Sequence, residues 1–412
     1  MIPYSEHTLP NGLRVIAHRD RSSEMAAVNI IYKVGARNES PGHTGFAHLF
    51  EHLMFGGSRN VPDFDLPVQL ACGENNAFTS NDYTNYYITL PKDNIETAFW
   101  VESDRMHGLL LNKKSLGVQR KVVVEEFKQR YLNQPYGDLW LLLRPLVYKA
   151  HPYRWATIGV SPEEIASATM EEVRAFYGRY YNPDNAILSV AAYMEPDEIF
   201  HMAEKWFGDI TSGKYAPDTF PQEPVQTEAR RLEVDRNVPA TVITIVFHMG
   251  GRTSREYNVC DVASDLLAAG NSSRMYRKLV REERLFSSVN AYVGGELDPG
   301  LFVVTGHLLP QTTVEQAEAA LWEQLQALCD REAENYEFEK VKNKFESEAL
   351  FGEVNVMNKA MNLGFYDMLG DVSLINREVE LYGSVTKKEI MDTSRKLFTK
   401  ENSSTLIYRA AK

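Results

Sequence analysis

Phe46 to Phe55 reads FAHLFEHLMF, ten residues without Gly or Pro, and its spacing predicts a helix. At about 100° per residue, His48, Glu51 and His52 fall within one arc of roughly 100°. Leu49, Phe50, Leu53 and Met54 fill the rest of the circumference, so the helix is expected to be buried. Polar groups buried with it need partners, because unpaired burial is costly. Two imidazoles at i and i+4 can offer both nitrogens to one tetrahedral ion. The Glu between them is displaced sideways, where it can act on a water without ligating. This HxxEH order reverses HExxH and is the inverzincin signature. It makes His48 and His52 candidate zinc ligands and Glu51 a candidate general base. A catalytic zinc needs a third protein ligand and an open position. Gln119 to Arg130, QRKVVVEEFKQR, offers Glu125 and Glu126 on an expected helix, and spacing alone does not choose between them.

Outward from this helix the order of elements repeats. An alternating run at Ala27–Val34, then Gly35 and a helical stretch closing at Gly56, is matched by Val242–Met249, Gly250 and a stretch closing at Gly270. YYITLP at 86–91, followed by Ala98-Phe-Trp100, is matched by TGHLLP at 305–310, followed by Ala320-Leu-Trp322. Period-2 strands beside helices predict an α+β fold of two homologous domains, each an antiparallel sheet with helices packed on one face. The Pro-rich polar stretch from Thr211 to Arg231 reads as the connection. The expected domains are 1–215 and 232–412, with a linker at 216–231.

The repeat does not extend to the chemistry. Shifted by 214, the positions of His48, Glu51 and His52 fall on Val262, Asp265 and Leu266, so the metal site is expected in the first domain alone.

Composition narrows the class. With 44 Lys and Arg against 56 Asp and Glu, the net charge of −12 argues against nucleic acid as a partner. No apolar run approaches the roughly 20 residues that span a bilayer. Cys72, Cys260 and Cys329 form no CxxC pair and suggest no disulfide framework. The N-terminal MIPYSEHTLPNG has no basic segment leading an apolar core. As it stands the chain reads as cytoplasmic, or as periplasmic had a leader been removed.

Five segments together carry a resemblance: HTGFAHLFEHLMFGGS around residues 43–58, CGENNAFTSNDYTNYY at 72–87, VVVEEF at 122–127, HPYRWATIG at 151–159 and YYNPDNAILSVAAYMEPDEI at 180–199. The sequence resembles the pitrilysin-like zinc metallopeptidases, and in particular short bacterial members and the zinc-bearing subunit of the mitochondrial processing peptidase. The resemblance implies a zinc-dependent endopeptidase with one Zn²⁺ per chain, acting on peptides or unfolded protein segments, its two domains forming half of a clamshell. It implies Glu126, not Glu125, as the third ligand. It also implies a substrate-binding sheet edge at Asn76, Ala77, Phe78 and Thr79, where an extended peptide can add as a strand. The family's usual Glu two helical turns before the ligand is here Gln119, expected to hydrogen-bond a ligand histidine without supplying charge.

In the second half the family pattern of an Arg followed by a Tyr is incomplete. Arg281 is present, the Tyr position falls on Ser288 or Ser287, and Tyr292 is out of register. The expectation is a heterodimer in which a homologous chain supplies an Arg/Tyr pair, with a homodimer as runner-up. A non-catalytic assembly subunit is the alternative from another class. His43 reads as a loop residue, and His151 carries no derivable role.

Overall fold

The computed structural model describes residues 1–411. Strands β1 (Ser5–Thr8), β2 (Arg14–Arg19), β3 (Met25–Tyr32), β4 (Glu74–Thr79), β5 (Thr84–Pro91) and β6 (Ala186–Ala192) form a first sheet in the order β1-β2-β6-β3-β5-β4. Strands β7 (Arg230–Arg236), β8 (Val242–His248), β9 (Phe286–Val293), β10 (Leu301–Leu308) and β11 (Ser403–Ala410) form a second, in the order β7-β11-β8-β10-β9. Setting β1 aside, both sheets thread their five strands in the same spatial sequence: first, fifth, second, fourth, third. The repeat read from sequence is therefore a repeat of topology. The sheets are mixed where antiparallel ones are expected, since β2 runs parallel to β6 and β7 parallel to β11. In each case the last strand returns to lie beside the first after a long excursion, the crossover that parallel pairing requires.

The chain divides into two compact units, neither of them contiguous. The first comprises residues 1–132, 151–221 and 350–376; the second comprises 133–150, 222–349 and the described residues from 377. One switch, Pro221 to Gln222, lies inside the expected linker, and the last two residues of that stretch, Arg230 and Arg231, already belong to β7.

The two exchanged segments explain why the central strands are buried on both faces. In the first unit, helices 46–53, 95–107 and 196–207 pack on one side of the sheet, as expected from sequence. Helix Val356–Met368 covers the other. It approaches over small residues, with Ala360 against Ala27 and Ala191. A Cβ on Gly364 would come 2.7 Å from Ser189 Oγ. Two ion pairs fix the segment: Lys359 to Asp20 at 2.7 Å and Arg14 to Asp367 at 2.6 Å.

In the second unit, Ile243, Ile245 and Phe247 of β8 join one core with helices 255–268, 314–330 and 387–397. Segment 133–150 is tied to β7 and β11 from elsewhere: Asp138 accepts from Tyr408 at 2.5 Å and from Arg236 at 2.9 Å. No helix among the described residues is long and apolar enough to cross a membrane.

Candidate metal centre

The helix expected at Phe46 to Phe55 spans Phe46–Leu53. Phe46, Ala47, Leu49, Phe50 and Leu53 are buried in the first unit, and only His48, Glu51 and His52 remain partly accessible. Phe50 stacks on Phe176 and Tyr181, with ring centroids 4.9 and 5.3 Å apart, which fixes the rotation of the helix and hence the direction of the polar arc. At its N-terminus Gly45 has φ +84 and no side chain to offer as a cap. A Cβ there would lie 2.6 Å from the carbonyl oxygen of Ile158. Glu39, buried six residues upstream, supplies the cap: its carboxylate accepts the N–H groups of Gly45 and Ala47, each at 2.8 Å. These are among the donors a helix leaves unpaired in its first turn.

The second element is helix Lys113–Phe127, started by Asn112, whose side chain accepts from the N–H groups of Lys114 and Ser115 at 2.9 and 3.0 Å. Near its end the paired carboxylates separate. The side chain of Glu125 is 60% exposed and pairs with Lys128, whereas that of Glu126 is 17% exposed and faces the histidines. Glu126 Oε2 lies 3.3 Å from His52 Nε2 and 3.8 Å from His48 Nε2. The two imidazoles stand edge to face, with centroids 4.9 Å apart.

This donor set fits a tetrahedral ion. The ligand atoms of His48, His52 and Glu126 all lie within 4.8 Å of one another. Donors held about 2.0–2.2 Å from a tetrahedral zinc are themselves separated by about 3.3–3.6 Å, so small adjustments would close the cage. Burial, then the neighbouring His52, lowers His48 to about 4, so its imidazole is neutral near pH 7 and can offer a lone pair. The bond to His52, against burial and with help from His48 and Arg130, holds the Glu126 carboxyl below its ordinary range. His48 Nδ1 is buried and has no hydrogen-bond partner among the described residues. The bond expected from Gln119 to a ligand histidine is therefore not made at that atom.

Glu51 projects from the same arc. Burial raises its pKa, while a hydrogen bond from Thr79 Oγ1 to Oε2, 2.5 Å long, opposes the shift. Thr79 closes β4, the edge strand of its sheet. The four residues expected at a sheet edge are thus on one. Asn76 is exposed there and turns its amide oxygen back to accept the N–H of Ala77 at 2.8 Å. Phe78 packs edge-on against Tyr83.

Two features of this centre are absent from the sequence reading. One is the Glu39 cap, which has no local signature. The other is Arg130, which pairs with Glu126 Oε1 at 2.9 Å and is foreshadowed by the i,i+4 spacing of Glu and Arg.

His43 lies apart from the three candidate ligands, paired with Glu172 at 3.4 Å and edge-on to Phe46. His151 caps a short turn by accepting the N–H of Tyr153 at 3.2 Å.

In the second unit, helix Arg255–Ala268 carries the positions corresponding to the metal helix. Val262 and Leu266 are core residues there. Asp265 holds Lys344 at 2.7 Å, and the same ammonium is 3.5 Å from Glu348. An internal cation stands among these carboxylates. Arg281 is exposed in a π-helical turn, Tyr276–Glu282, and Ser287, Ser288 and Tyr292 lie on β9, the edge of the second sheet.

Comparison with known proteins gives a consistent picture. Residues 14–136 match the family described as Insulinase (Peptidase family M16), and residues 167–345 match the Peptidase M16 inactive domain. The chain is 29% identical over 341 residues to the zinc protease PqqE of Helicobacter pylori, covering 81% of this chain and 77% of that protein. It is 24% identical over 405 residues to the uncharacterized zinc protease YmxG of Bacillus subtilis, covering 97% of each. Among solved structures, a protease from Helicobacter pylori superposes with a TM-score of 0.93 at 25% identity, over 99% of this chain and 100% of that one. Pitrilysin shares the fold with a TM-score of 0.80 at 17% identity, over 99% of this chain but 45% of its own.

Proposed function

Because the chain belongs to the insulinase family of peptidases, M16, we propose that it is a zinc-dependent endopeptidase in which His48, His52 and Glu126 hold the metal and Glu51 is the general base. The observation that carries this reading is the convergence of two imidazoles and one carboxylate within 4.8 Å, with a second carboxylate on the same helical arc. A zinc bound by two His and one Glu supplies Lewis acidity, making a water acidic near neutral pH and polarising a peptide carbonyl.

This chain's own residues do the rest. Glu51 takes a proton from the attacking water as its oxygen adds to the scissile carbonyl, and returns it to the amine as the C–N bond breaks. Thr79 occupies Oε2 and thereby leaves Oε1 for the proton. An extended peptide adds to the free edge of β4. For its backbone to pair with the Ala77 N–H, the Asn76 amide oxygen has to release it, and the freed amide can then hold a substrate carbonyl.

A partner chain is part of the proposal. The second half offers Arg281 but serine where the resemblance calls for a Tyr, and loss of one donor to a developing oxyanion typically costs about 10²–10³ in rate. A second chain of the same fold can supply the missing donor. A heterodimer accommodates this better than a homodimer, whose second copy would bring the same serine.

The test is hydrolysis of a mixed peptide library by the zinc-loaded chain, alone and with candidate partner chains. Glu51→Gln and chelator-treated protein serve as controls. Cleavage lost in both controls supports the peptidase. Cleavage by the chain alone overturns the need for a partner. A non-catalytic assembly subunit is the second reading, favoured by the serine at 288; it predicts neither cleavage nor stoichiometric, His48-dependent zinc.

A further inference from the structure

Glu126 uses its two oxygens on opposite sides. Oε2 faces His48 and His52, while Oε1 is 2.9 Å from Arg130 Nη1. Arg130 lies one turn further on, in the π-helical turn Lys128–Leu132 that follows the ligand helix directly. Such wide turns recur at functional sites. The Arg130 side chain is 70% exposed, so its role is not core packing. Its contact with Glu126, which also faces His48 and His52, nevertheless places the guanidinium at the rim of the site.

A carboxylate can bind a metal through one oxygen or two. A catalytic zinc with three protein ligands needs its remaining position for water, and a two-oxygen carboxylate would crowd it. We propose that Arg130 is a positioning residue that holds Glu126 Oε1 out of the metal's coordination sphere, so that Glu126 ligates through Oε2 alone. The inference rests on the zinc reading above and adds a residue to it. Groups that hydrogen-bond a ligand typically matter by about 10- to 100-fold in metal affinity or activity.

The experiment uses the full chain loaded with Co²⁺, whose visible bands weaken as coordination number rises. Wild type is compared with Arg130→Ala, Arg130→Lys and Lys128→Ala. Lys128 neighbours Glu125 and not the site, so its variant serves as the control. The expected result is a loss of at least half the band intensity in Arg130→Ala, partial recovery in Arg130→Lys, whose ammonium can remake one contact, and a wild-type spectrum in Lys128→Ala. Superimposable spectra for wild type and Arg130→Ala overturn the proposal, whatever happens to activity. If wild type binds no stoichiometric metal, or binds it independently of His48, the zinc reading falls and this inference with it. Metal bound through His48 with an unchanged Arg130→Ala spectrum removes this inference alone.

Discussion

Thr79 Oγ1 donates to Glu51 Oε2 at 2.5 Å, joining the edge strand β4 to the metal helix across 28 residues of sequence. The strand proposed to receive a peptide therefore also holds the proposed general base. The bond favours the ionised carboxylate, so its part in the rate is to orient the base, and misplacing a catalytic group by about 1 Å can cost about 100-fold. Thr79→Val is expected to lower kcat by about that factor, with zinc content and KM little changed, while Thr79→Ser stays near wild type. Steady-state kinetics on the active assembly, with metal analysis of each variant, checks this. Equal loss in Val and Ser variants would contradict it.

Glu39 caps the metal helix from a distance. Burial pushes its carboxyl well above the usual range, against the bonds it accepts from the N–H groups of Gly45 and Ala47. Glu39→Ala would leave both donors buried without a partner in a helix of only eight residues, at about 1–3 kcal/mol each. Glu39→Gln keeps one acceptor and is expected to fall between. Urea unfolding gives the stability change, and chelator competition gives zinc affinity, which is expected to weaken in the same order. A destabilised Glu39→Ala chain with unaltered zinc affinity would show that the cap does not orient the ligands.

What can be read from sequence follows the range of the interactions. The metal-site helix and its polar arc are legible because helical periodicity is local, and the alternating run at Ala27–Val34 reads as a strand with one covered face, whereas β3 is buried on both. What covers it, helix 356–368, carries no such mark, because packing of Ala360 and Gly364 onto Ala27 and Ser189 depends on contacts more than 150 residues apart. The choice of Glu126 over Glu125 needs the family resemblance. In the structure, helix rotation turns Glu126 towards the histidines and Glu125 to solvent. The Glu126–Arg130 pair is visible as an i,i+4 spacing, but such pairs are common on solvated faces, and only the geometry gives this one its meaning. Thr79 reads from sequence as a substrate contact; its bond to Glu51 joins distant segments and has no local pattern.

Lys359 and Asp20, 7% and 2% exposed, form a 2.7 Å ion pair within the first unit. Although burial pushes Asp20 upward, its bonds from Lys359 and Ser22 bring it below the ordinary carboxylate value. Removing one partner leaves a buried charge uncompensated, which typically costs about 3–5 kcal/mol, whereas replacing both with apolar groups costs much less. Lys359→Met alone is therefore expected to be severely destabilising, and Asp20→Leu with Lys359→Met milder. Denaturant unfolding of both single variants and the double gives the coupling. Because the Asp20 pKa is depressed in the fold, its contribution is present above the unfolded carboxylate pKa and is lost as pH falls through the folded one.

Asp261, in the second unit, is the opposite case. Burial first, then the charge of Asp265, raises it to about 6, against a 2.6 Å hydrogen bond from Tyr382 and the charges of Arg252 and Lys344. A carboxyl raised in the fold binds its proton more tightly there than in the unfolded chain. Its contribution is therefore complete below the unfolded value near 4 and is lost as pH rises towards 6. The gap between those two values limits the contribution to about 2–3 kcal/mol. Asp261→Asn cannot ionise, and its amide oxygen can still accept from Tyr382. The variant is expected to match wild type in thermal stability near pH 4 and to exceed it increasingly up to about pH 7, with little further change above. Melting temperatures of both proteins across that range test this, and a difference that stays constant with pH would show that Asp261 does not titrate in the folded unit.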